Sequence, residues 1–180
     1  MLNFCRLNQS YYYIYPNIIS IIMKKILIST LLIVFCLSAF AQTDLYRYYN
    51  AKAKKHFFTI NFSELGNGAN GFVLEGVSCR IYALDKVPGL VPVYRMYNPK
   101  SNDHYYTSRK YVPGRDLTGY QLEGTLGFVF KFQHPGTMPL LEYYNPQIGD
   151  HFYTIDKNEL GRGFEGYVFD TVVGYVYRKP

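Results

Sequence analysis

The chain has 180 residues, a formal charge of +6, three cysteines and no tryptophan, with 20 tyrosines and 13 phenylalanines. Arg6, Lys24 and Lys25 fall in an N-terminal segment read below as removed. Without them 16 basic residues face 13 acidic ones, a surplus of 3 that is too small for a nucleic-acid binder. Of the cysteines only Cys79 lies beyond that segment, which excludes an internal disulfide and leaves packing to hold the fold.

Met23 opens "MKKILISTLLIVFCLSAFAQTD", in which two lysines precede an apolar stretch that ends on Ala39-Phe40-Ala41. This is the layout of a secretory signal over residues 23–41, with cleavage expected between Ala41 and Gln42. Residues 1–22 carry no targeting logic and read as an upstream translation artefact; a longer membrane-anchored N-terminus is the rival. The apolar stretch is short of the roughly 20 residues of a membrane span. The expected product is a secreted or periplasmic monomer of residues 42–180, with no membrane span in the mature chain.

Three copies of one unit follow, over about 45–84, 92–132 and 139–178. In chain order each has a tyrosine and an asparagine (Tyr49-Asn50, Tyr97-Asn98, Tyr144-Asn145), then a histidine (His56, His104, His151), then a threonine (Thr59, Thr107, Thr154). At equal further offsets come a glycine (Gly71, Gly119, Gly166) and a carboxylate (Glu75, Glu123, Asp170). Aromatic and β-branched runs flank turn formers such as "PKSND" and "PQIGD", which predicts a hairpin. A second hairpin is predicted to bend at Glu123-Gly124 and Asp170-Thr171, and a helical turn at Ser63-Leu65 or Lys157-Leu160. Linkers are expected at 83–92 and 131–139. Four strands per unit give twelve, in an all-β domain with its repeats around a pseudo-threefold axis. The arrangement expected is β-trefoil-like, with a three-bladed prism-like one as the alternative.

Asp103-His104 and Asp150-His151 resemble catalytic dyads, but neighbours on a strand point to opposite faces. Each aspartate therefore reads as a loop cap, and each histidine as a structural imidazole with ligand contact as its alternative. Phe57, Tyr105 and Phe152 alternate with the histidines, and the bulkier set is expected in the core. No shared metal site and no cofactor are expected. The repeated carboxylates read as turn residues rather than a hydrolytic pair, since such a pair is asymmetric. Cys79 reads as a small residue at a tight strand position, matching Gly127 and Gly174. No catalytic group stands out, and the chain reads as a non-enzyme. Tyrosines beside arginines and amides can stack on sugar rings. The candidate ligand-binding residues are Arg95, Tyr97, Asn98, Asp103, His104, Tyr144, Asn145, Asp150 and His151.

The pattern YNPxxxDHFYT followed by GYxxEGxxGYVY, over residues 45–178, resembles a family of secreted three-repeat domains of unknown function. Such repeats occur in bacteria and fungi, alone or appended to peptidases, peptidoglycan hydrolases and polysaccharide-degrading enzymes. The resemblance implies a non-catalytic accessory module for a glycan or cell-wall polysaccharide, with no nucleic-acid partner. A secreted hydrolase and a structural or partner-binding envelope protein are the alternatives. The chain departs from the pattern at Ala51, Lys55, Glu142 and Thr171.

Overall fold

The computed structural model describes residues 19–29, 42–109, 118–161 and 163–179. It divides into two units, Met1–Phe40 and Ala41–Pro180. In the first, residues 19–29 are helical and run through Lys24 and Lys25. No helix among the described residues is long and apolar enough to cross a membrane. Most of the expected signal segment and its cleavage site lie outside the described residues.

The second unit is all-β and antiparallel. Its strands are β1 (Gln42–Asn50), β2 (Lys55–Thr59), β3 (Val73–Tyr82), β4 (Leu90–Asn98), β5 (Asp103–Thr107), β6 (Gln121–Phe130), β7 (Thr137–Asn145), β8 (Asp150–Thr154) and β9 (Val168–Tyr177). β1–β2, β4–β5 and β7–β8 are hairpins of the same register, Tyr49 opposing His56, Tyr97 opposing His104 and Tyr144 opposing His151. β3, β6 and β9 close each set of three strands and pair with one another near their C-terminal ends.

Among the described residues nine strands replace the expected twelve, three rather than four per unit. The expected second hairpin is one ten-residue strand in each case. Gly76 and Gly124 do take positive φ, at 124° and 155°. They stand in the ladder between register shifts, however, so the chain kinks through bulges instead of reversing. A 3-10 turn forms at Phe62–Glu64, near its expected place, whereas 157–159 makes only a turn. β4 and β7 begin inside the expected linkers.

The signature residues account for the hairpin ends. Asn98 Oδ1 accepts from Lys100 N at 3.0 Å, and Asn145 Oδ1 from Gln147 N at 3.0 Å. Asn145 Nδ2 donates to Glu165 O at 2.8 Å. These asparagines lie against the repeated glycines: a Cβ on Gly119 or Gly166 would stand 3.0 Å from the amide nitrogen of Asn98 or Asn145. Both glycines also hold φ near +90°, so only glycine suits the position. Thr59, Thr107 and Thr154 accept through Oγ1 from the backbone N–H two residues on.

In the core, Phe58, Tyr106 and Tyr153 meet edge to face, with centroids 5.3–5.6 Å apart. Leu45, Ile81, Val93, Val129 and Leu140 surround them. Phe58 N donates to the Tyr106 hydroxyl, and Tyr106 N to the Tyr153 hydroxyl, each at 2.8 Å. Phe58 has no hydroxyl with which to continue the series. Cys79 is fully buried beside these rings, and burial pushes its thiol up to about 12, far from thiolate chemistry at neutral pH.

Candidate functional site

The aspartates do orient histidines, but across units. Asp150 lies 2.6 Å from His56 Nδ1 and accepts from His56 N at 2.8 Å. The Tyr167 hydroxyl donates to the same carboxylate at 2.6 Å. Asp103 repeats the arrangement on His151, at 2.6 Å to Nδ1 and 3.2 Å to the backbone N–H, with Tyr120 donating its hydroxyl. Both aspartates are fully buried, and each carries three donors, as a desolvated carboxylate requires. Their role as caps of their own loops is therefore corrected: strand alternation keeps Asp150 from His151, and the short strands β2, β5 and β8 instead bring it to His56.

The series is open once. Lys55 stands at the third aspartate position, and its Nζ donates to the carbonyls of Ile148 and Gly149 at 2.6 and 2.7 Å. Phe72 replaces the matching tyrosine there. His104 is left with Glu123 Oε2 at 3.4 Å from Nε2 and, among the described residues, no carboxylate on Nδ1. Burial lowers its pKa, against the opposing pull of Glu123.

Each histidine lies against the tyrosine opposite it in the ladder, with ring centroids 4.7 Å apart for Tyr49–His56 and Tyr97–His104 and 4.5 Å for Tyr144–His151. The tyrosines are half-buried, and the histidine side chains retain 10–15% exposure. Phe57, Tyr105 and Phe152 are buried as expected, at 5–6%. Deeper still on these short strands are the next rings along, Phe58, Tyr106 and Tyr153, on the histidine side of the strand.

Next to these ring pairs, Arg47 binds Glu75 at 2.8 Å and Glu159 at 2.9 Å, and Arg95 binds Glu123 at 2.9 Å and Glu64 at 3.0 Å. Each guanidinium also lies over a buried ring, Phe152 or Phe57. In the third unit the arginine is replaced by Glu142, whose side chain is wholly buried. Its oxygens meet no donor among the described residues, and Asp170 is the carboxylate beside it. Burial first, and then Asp170, pushes Glu142 up to about 9, while Arg109 pulls the other way. At that value Glu142 is neutral at pH 7.

Of the candidate residues, Asp103, Asp150 and Asn145 are thus buried structural groups. Arg95, Tyr97, Asn98, His104, Tyr144 and His151 remain partly exposed. No group of three or more metal-ligating side chains is assembled among the described residues. The asymmetric Glu142–Asp170 pair escapes the sequence reading, although its signal is the single acid at a position that is otherwise arginine.

No curated protein and no solved structure matches the chain. A family model covers residues 33–112 and 114–180, most of the sequence and nearly all of the β unit, and the chain belongs to the family it represents, a domain of unknown function (DUF5648).

Proposed function

We propose that this chain is a secreted, non-catalytic module that binds carbohydrate or a cell-surface polymer through its Tyr–His ring pairs. The observation that carries this reading is the shelf formed by Tyr97 on His104, and again by Tyr144 on His151, each half-open to solvent. A tyrosine face stacks on a sugar ring, and polar edges beside it take the hydroxyls. The His151 ring is fixed by the bond of its Nδ1 atom to Asp103, so the Tyr144–His151 shelf is pre-organised. Common hairpin registers and the mutual pairing of β3, β6 and β9 support a pseudo-threefold arrangement. Several weak sites of one kind would act together on a polymer.

The direct test is a pull-down of the chain on insoluble peptidoglycan and plant and fungal polysaccharides, with a glycan array beside it. Retention that falls in Tyr97→Ala and Tyr144→Ala supports the reading, and failure to bind any glycan sinks it. One observation favours a hydrolase instead: Glu142 and Asp170 form a carboxylate pair with one raised member, found in one unit only. That reading requires turnover of a labelled polymer that disappears in Glu142→Gln.

A further inference from the structure

A groove of about 1140 Å³ runs between β3 and β7. One wall is Glu75–Ser78 of β3, the other is Met138, Pro139 and Leu141 of β7, and the segment 154–159 and Arg178–Lys179 close its ends. It exceeds the usual small-molecule pocket of roughly 300–1,000 Å³ and suits a length of polymer.

Its charges are unequal in availability. Arg47 is shared between two carboxylates, Glu75 and Glu159, and Asp156 accepts from Asn158 N at 2.9 Å. Lys157 and Lys179, by contrast, have no acidic partner among the described residues, and Arg178 meets only the thioether of Met138. The lining thus holds four cations and three carboxylates, and Lys157, Arg178 and Lys179 are the cations that no carboxylate pairs among the described residues.

One of the two corresponding junctions is closed by a hydroxyl. Ser108 donates its hydroxyl to the carbonyl of Val173 on β9. The equivalent residues here are Ile155 and Ser78, and both line the groove, where an isoleucine offers no hydroxyl. Open strand edges on both walls raise the question of an added peptide strand. Pro139 removes a ladder N–H, however, and register shifts near Ser78 and Glu75 kink β3, the devices by which edges resist strand addition.

We infer that this groove binds a stretch of acidic polysaccharide, its anionic groups paired with Lys157, Arg178 and Lys179 and its sugar faces laid on Met138 and Pro139. The inference rests on the glycan-binding reading above and gives it a ligand class and a second site.

The test compares binding of the full-length chain to polygalacturonate, neutral dextran and poly-glutamate. Beside it run the triple variant Lys157→Ala/Arg178→Ala/Lys179→Ala and the groove-filling Asn158→Trp, both on exposed positions. Polygalacturonate is expected to bind tightest, to weaken about tenfold in the triple variant at low salt, and to weaken in Asn158→Trp with an unchanged thermal midpoint. Equal binding of polygalacturonate and dextran overturns the inference, as does poly-glutamate binding as well as the polyuronate, or affinity unchanged in both variants. Glycan binding that ignores both variants but falls in Tyr144→Ala removes the groove and leaves the ring-pair reading standing. Binding to no glycan removes both.

Discussion

His151 and His104 occupy the same point of the same hairpin, yet only His151 has a buried carboxylate on Nδ1. Around His151, Asp103 joins a backbone N–H, an imidazole and a tyrosine hydroxyl from two units. Around His104, the unit that should supply the aspartate supplies Lys55, which turns to two carbonyls of the third unit. The same unit offers Phe58 in place of a core tyrosine. One repeat therefore lacks both the buried aspartate and the core hydroxyl that its siblings offer, and the interior still closes on the apolar contacts of the three rings. Hydrophobic packing sets the architecture here, and the polar links tune individual junctions.

The largest effect is expected where a closed junction is cut. Asp150→Ala leaves the His56 N–H, its imidazole and the Tyr167 hydroxyl without their acceptor in a dry site. A loss of about 3–5 kcal/mol follows, read as a fall in the urea midpoint. Lys55→Ala, at the open junction, should cost about 1–3 kcal/mol, since two carbonyls lose their donor and no ion is stranded. If the two variants lose the same stability, the distinction between the junctions has no energetic content.

Glu142 supplies the next test, because its raised pKa gives the fold a pH slope. The unfolded chain releases this proton near the ordinary glutamate value, whereas the folded chain holds it to about 9. Between those values the native state binds more protons than the unfolded state, so stability falls as pH rises. The slope contributed by this one group is at most about 1.4 kcal/mol per pH unit, and it vanishes below the lower value and above the upper. Urea unfolding at pH 5, 6, 7 and 8 should show the decline in the natural chain and a flatter profile in Glu142→Gln. Parallel profiles would place the proton elsewhere.

How far the sequence reveals these junctions depends on the range of the interaction. Asn50 to Gly71, Asn98 to Gly119 and Asn145 to Gly166 are 21 residues apart in all three copies, and each pair is a direct contact that the repeated offset announces. The turns, the short strands and the buried alternate ring have the same local origin. The Asp–His links do not, because nothing in a spacing of about 47 residues says which unit's aspartate meets which unit's histidine. A correlated clue is nonetheless present: aspartate accompanies Tyr120 and Tyr167, and Lys55 accompanies Phe72. Gly76 and Gly124 mislead for a different reason, since positive φ serves a bulge as well as a turn. The groove between β3 and β7 is invisible in sequence, because its lining comes from segments as far apart as Arg47 and Lys179.

A smaller effect is expected in the core series. Tyr106→Phe removes the acceptor of Phe58 N while leaving the ring packing intact, and should cost about 1–2 kcal/mol. It also reproduces the state that Phe58 already presents to Tyr153. A loss below the error of the measurement would mean that water or a small backbone shift replaces the hydroxyl.

The finest test is to restore the missing member. Lys55→Asp places a carboxylate where Asp103 and Asp150 stand in the other units, within reach of His104 Nδ1 by the same geometry. The variant gives up the two carbonyl contacts of Lys55 and gains a charge-assisted bond, so its stability should change by about 1 kcal/mol or less. The ring itself should respond more clearly. His104 is held below its usual pKa by burial, which means its proton is lost on folding and stability declines as pH falls below about 6.5. A new aspartate reverses the sign by favouring the imidazolium, and the His104 titration followed by NMR should move upward by about one unit. If it stays low, the carboxylate has not reached Nδ1, and Phe72 is the reason: the tyrosine hydroxyl that holds the aspartate in the other two junctions is absent. Adding Phe72→Tyr then completes the donor set, and His104 should titrate upward in the double variant alone.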